Sequence, residues 1–138
     1  MAIPQSREAR RYYFAAKQRF EAARILSAAA QTTSEVYLGG YCVACMLKAL
    51  ILSAAPVGKQ DEILDSFKGG WAHDYEKLKA IYLKGGGASW PPDVAKNFTL
   101  VDTWSTDLRY KPGLIDPEEA QIFLDAAEAI MVWADGRI

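Results

Sequence analysis

VYLGGYCVACMLKALIL, residues Val36–Leu52, decides the fold. Apolar and small side chains surround its helix axis on every side, and Lys48 is the only charge. A surface helix shows a polar face, whereas a helix apolar all round is buried by its neighbours. The run is too short for a comfortable membrane span, and its lysine sits well inside it. It therefore reads as the central helix of an all-α antiparallel bundle of five to six helices. Gly39, Gly40 and Ala44 form a small-residue face that another backbone can approach, from this chain or from a second copy. Lys48 is expected to reach a carboxylate or the rim of the bundle.

Helical spacing continues outward from this element. Before it, Ser6 is an N-cap and the first helix runs to about Ala30, with Tyr13, Ala16, Phe20 and Ala23 on one stripe and Arg10, Lys17, Glu21 and Arg24 opposite. A short link, Gln31–Ser34, leads into the central helix, which Pro56 and Gly58 end. A short helix over Lys59–Phe67 precedes the Gly69-Gly70 break. His73-Asp74 starts the next helix, with Tyr75, Leu78 and Tyr82 inward and Gly85 as its stop. GGGASWPP (Gly85–Pro92) is a flexible stretch. The following helix carries Val94, Phe98, Val101 and Trp104 and dissolves near Asp107, and RYKPG (Arg109–Gly113) makes an ordered turn. The last helix has Asp116 as N-cap, Pro117 at its first position, and Glu118 and Glu119 against the dipole. Its stripe is Ala120, Phe123, Ala127, Ile130 and Ala134.

With 138 residues the chain fits one domain, residues 1–138, with a real core. The net charge of −1 gives no global argument for nucleic acid or membrane. The charges are nonetheless segregated. The first helix is basic (Arg7, Arg10, Arg11, Lys17, Arg19, Arg24), and the last is acidic (Asp116, Glu118, Glu119, Asp125, Glu128, Asp135). These helices are expected to pack side by side or to face each other across a dimer. The polar start, MAIPQSREARR, has no signal-peptide pattern, and a cytoplasmic location is expected.

Few residues offer chemistry. Cys42 and Cys45 spell C-x-x-C, but mid-helix in apolar surroundings they are inert packing thiols. One histidine cannot complete a zinc site with them, so no metal or cofactor is expected. That histidine, His73, lies at a helix start, where it is a candidate general base or phosphate ligand, or a capping residue. Arg109, just past a helix end, offers a fork to a phosphate or to its own helix carbonyls. Lys68, Asp74 and Tyr110 complete the candidate ligand-binding set, with Trp71 or Tyr110 as an aromatic face for a base.

Taken together, the segments resemble a known family. ARRYYFAAKQRFEAARIL and YLGGYCVACMLKALIL are similar to its first two helices, the second matching the pattern Y-x-x-A-x-x-x-E-x-x-L-K-A-L most closely at Lys48-Ala49-Leu50. His73-Asp74, with Leu78 four residues after Asp74, resembles its H-D-L-x-x-L, and Leu108–Pro112 its A-R-Y-P. The order and spacing resemble the HEPN domain (higher eukaryotes and prokaryotes nucleotide-binding) over nearly the whole chain. That resemblance implies a helical bundle that dimerises. Many members stand beside a minimal nucleotidyltransferase in toxin–antitoxin pairs, and many are metal-independent ribonucleases.

The ribonuclease branch carries an arginine, four to six residues, then a histidine. Here Lys68 takes the arginine's place before His73, and Ala44 stands at the usual glutamate of the second helix. The expectation is therefore a non-catalytic homodimeric module that binds a nucleotide, RNA or a nucleotidyltransferase-like partner, and no membrane. A ribonuclease using His73, and a purely structural interaction protein, are the alternatives.

Overall fold

Local capping sets where the helices begin. Ser6 Oγ accepts the Ala9 N–H at 3.0 Å, Asp74 Oδ1 that of Lys77 at 3.1 Å, and Asp116 Oδ2 that of Glu119 at 3.1 Å. In the computed structural model, which describes residues 3–56, 58–69 and 72–138, the described residues form six α-helices and no strand. They are α1 (Arg7–Ala28), α2 (Thr32–Ala54), α3 (Gln60–Ser66), α4 (Tyr75–Lys84), α5 (Pro92–Val101) and α6 (Pro117–Asp135), with a 3₁₀ segment, η1 (Thr106–Tyr110), between the last two. Each inward stripe read from the sequence is buried.

α2 is the core helix, with Val43, Met46, Leu47 and Leu50 at its centre. At 23 residues it is long and apolar enough to cross a membrane by length and composition, yet 72% of its apolar window is buried inside the bundle, as in a core helix. It starts at Thr32, within the stretch expected to be a link. The Thr32 and Thr33 hydroxyls donate to the carbonyls of Ile115 and Gly113 at 2.6 and 2.8 Å, which ties the first turn of α2 to the loop before α6. The reversal from α1 is confined to Ala29–Gln31, where Ala30 adopts φ 58°.

α1 and α6 lie antiparallel, the basic helix beside the acidic one. Lys17 Nζ meets Asp135 Oδ2 at 2.8 Å, and Arg24 Nη2 meets Glu128 Oε2 at 2.6 Å. The segregated charges are thus partly paired within one chain.

The small-residue face of α2 is also used internally. Gly39 faces Phe123 and Leu124 of α6. At Gly40 the Trp104 indole lies against the bare backbone, in the space a Cβ would occupy. Trp104 Nε1 donates to the Tyr37 carbonyl at 3.1 Å, and the Tyr75 hydroxyl to the Gly40 carbonyl at 2.8 Å. The two rings stack on each other at 5.5 Å. Of the two neighbours this stripe could take, one from the same chain or a second copy, it is the chain's own α6 and Trp104 that lie against it at Gly39 and Gly40.

Lys48 departs from expectation. It is 3% exposed and meets no carboxylate among the described residues. Its ammonium lies 5.5 Å from the ring centres of Tyr12 and Phe67 and 3.3 Å from Nδ1 of His73. Aromatic faces and an imidazole lone pair replace the expected carboxylate.

Candidate functional site

Docking Tyr75 and Trp104 onto α2 leaves a cleft of about 440 Å³ in front of them. Its walls come from the start of α4, from α5 and from Trp104–Thr106. Trp90 is held just before α5 by Pro91 and stacks on Phe98 with ring centres 3.8 Å apart. The Lys79 ammonium lies 4.8 Å over the Trp90 ring. The charged lining is mainly acidic: Asp74, Glu76 and Asp102 against Lys79. Such a cleft suits an aromatic, hydrogen-bonding ligand and repels an anion.

His73 stands where this cleft meets the core. Its ring lies edge-on to Tyr41 at 4.7 Å, and its Nδ1 faces Lys48. Burial, then the charges of Lys48 and Arg109, push its pKa down to about 4. The imidazole is therefore neutral at pH 7. A general base works best with a pKa near the working pH, so this histidine is a weak proton acceptor and a good hydrogen-bonding group.

The other candidates are distributed differently. Asp74 lines the cleft, but its carboxylate caps α4, so that helix start already holds an anion and is not the open phosphate site expected from the sequence. Arg109 lies on the far side of η1. Its Nε donates to the Thr106 carbonyl at 3.2 Å and its guanidinium covers the Tyr110 ring at 5.3 Å. With Gln31, Thr33, Ser34, Tyr37 and Lys111 it lines a second pocket of about 410 Å³.

The two pockets flank η1: Thr106 lines the first, Leu108 and Arg109 the second. Tyr37 and Tyr41 bridge them along α2, with ring centres 5.0 Å apart. Burial and Tyr37 raise the Tyr41 pKa to about 12, against the opposing pull of Arg109.

Lys68 is exposed, pairs with Asp65 at 3.0 Å and lines neither pocket. Tyr110 is 77% exposed, and its ring is covered by the Arg109 guanidinium. Trp71 lies outside the described residues.

Cys42 and Cys45 are free thiols whose pKa values burial raises, and Cys42 Sγ donates to the Leu38 carbonyl at 3.2 Å. Among the described residues no cluster of three or more His, Cys, Asp or Glu is placed to hold a metal ion.

The structure thus brings His73 and Asp74 to one cleft and sets Arg109 beside it. It also adds residues the sequence did not mark. Trp90 was hidden in a glycine-rich stretch, and the proline pair after it is the only signal that it is held. Trp104 carried a core signal, and it is both core and wall. Lys79, Asp102 and Lys111 looked like ordinary surface charges. Compared with protein-family models, curated proteins and solved structures, the chain finds no match in any of the three.

Proposed function

We propose that this chain is a small HEPN-like module that binds a nucleotide or a short RNA segment without cutting it. In this reading the base and sugar occupy the His73 cleft and a phosphate sits across η1 at Arg109 and Lys111. One observation carries it: an aromatic, acid-lined cleft and a cationic pocket lie on either side of a five-residue 3₁₀ segment. Asp102 and Glu76 match the amino and hydroxyl donors of a nucleoside. Arg109 and Lys111 match the phosphate. The depressed pKa of His73 favours binding over ribonuclease chemistry at neutral pH.

The test is titration of AMP and adenosine into wild type, Asp102→Asn and the double variant Arg109→Ala/Lys111→Ala. Wild type is expected to bind AMP more tightly than adenosine. The double variant should lose that difference and keep adenosine binding, while Asp102→Asn weakens both. If neither compound binds at millimolar concentration, the reading fails. Metal-independent RNA cleavage that disappears in His73→Ala would favour the enzyme instead.

A protein-interaction role, as a homodimer or beside a nucleotidyltransferase-like partner, is supported by a different observation. Phe14 and Ile25 are eleven residues apart, which is three helical turns, and so share one face of α1. They are 51% and 64% exposed, and Val132 on the neighbouring α6 is 67% exposed. Sedimentation of wild type against Phe14→Ser/Ile25→Ser tests it. A dimer that the double variant dissociates supports this role, and a monomeric wild type at micromolar concentration removes the homodimer.

A further inference from the structure

The single histidine of the chain has its two ring nitrogens in different surroundings: Nδ1 faces a buried ammonium, while the residue itself lines the cleft. We infer that Lys48 is a positioning residue for this site: it donates to Nδ1 of His73, keeps the ring proton on Nε2, and so makes His73 a hydrogen-bond donor that selects ligands presenting an acceptor. The acceptor class is a ring nitrogen or carbonyl of a base, and that part rests on the nucleotide reading above.

The argument is geometric. Lys48 Nζ and His73 Nδ1 are 3.3 Å apart, and the lysine is 3% exposed. Two full charges at that distance, away from water, repel strongly, so the pair holds one of them. Burial lowers the pKa of Lys48 as it lowers that of His73, but the ordinary lysine value starts about four units higher, so the proton stays on the ammonium.

Every neighbouring element agrees. On α2, Tyr41 presents its ring edge and Cys45 a thiol that burial holds protonated. Tyr12 of α1 and Phe67 after α3 offer ring faces to the ammonium. Arg109 of η1 adds a positive charge that further disfavours an imidazolium. The adjacent carboxylate, Asp74, is engaged with the Lys77 N–H. A lone pair on Nδ1 is then the one acceptor that the Lys48 ammonium meets among the described residues. The tautomer of a histidine is set by the bond its other nitrogen makes, and here that bond comes from a residue that does not line the cleft.

The test is a long-range proton–nitrogen NMR spectrum of the imidazole, recorded from pH 8 to pH 5 on labelled protein. Wild type should show one tautomer, protonated on Nε2, with no titration in that range. Lys48→Met should give a mixture of tautomers with a pKa above that of wild type, still held below the ordinary histidine value by burial and Arg109, and Lys48→Arg should restore the wild-type signature. A wild-type ring protonated on Nδ1, or titrating near pH 6.5, would overturn the inference, and needs no variant to be seen. A folded Lys48→Met with an unchanged spectrum would overturn it too.

Adenosine adds a second readout. It should move the Nε2 proton of wild type and bind at least tenfold more weakly to Lys48→Met. Equal binding to both proteins sinks the positioning role. Binding to neither sinks the nucleotide reading, and the tautomer spectrum then still decides the part played by Lys48.

Discussion

At the scale of single residues, His73 makes stability depend on pH. Its folded-state pKa of about 4 lies below the ordinary value, so the unfolded chain binds the extra proton as pH falls through the range between them. Stability is therefore fully present above the ordinary value and is lost as pH drops from 7 towards 4. Between pH 7 and 5 the loss should be about 1–2 kcal/mol, allowing for partial exposure of the ring. Urea melts of wild type and His73→Asn at the two pH values check this, and the slope should largely vanish in the variant. Lys17 and Asp135 offer a second case. The carboxylate is 3% exposed and makes a 2.8 Å bond, so Asp135→Asn should cost about 1–2 kcal/mol. Glu128→Gln breaks a pair that is half exposed on both sides and should change stability by less than about 0.5 kcal/mol. Thermal melts of the two variants should differ clearly.

At the scale of elements, legibility tracked how local the cause was. Ser6 and Asp116 announce their helices because a cap is made three residues away, within the same segment. The Tyr13–Ala23 stripe was readable because burial follows helical period. Thr32 and Thr33 were not, because their hydroxyls are satisfied by Gly113 and Ile115, some eighty residues downstream. The site divides in the same way. His73 and Asp74 were visible by residue type and by their place at a helix start. Lys48 was visible as an anomaly, and its partner only in three dimensions. Trp90, Asp102 and Lys111 become part of a site only when η1 and α5 are folded beside α4. Gly40 links both kinds of information, since its missing side chain is what admits Trp104. Gly40→Ala should push the indole away and cost about 1–3 kcal/mol, the usual range for overpacking. Tryptophan emission should shift to the red as Trp104 is exposed. Leu47→Ala serves as contrast: it is expected to cost about 2–5 kcal/mol with little spectral change before unfolding.

At the scale of the whole molecule, two ion pairs tie the basic α1 to the acidic α6, and the pockets on either side of η1 differ in charge, one mainly acidic and the other lined by Arg109 and Lys111. Trp104 reaches back 67 residues to bond Tyr37, whereas α1 and α2 are joined by a tight reversal. Contacts distant in sequence carry a larger entropy of closure than local ones. The docking of Trp104 therefore has a kinetic meaning as well as a structural one. The α1–α2 hairpin can hold protected amides while α4, α5 and η1 lift away together, so the cleft opens as one cooperative unit below the global unfolding free energy. Amide hydrogen exchange should show the slowest positions around Val43–Leu50 and a faster, shared rate across Tyr75–Val101. Equal protection across both regions would mean that the cleft and the core come apart only together.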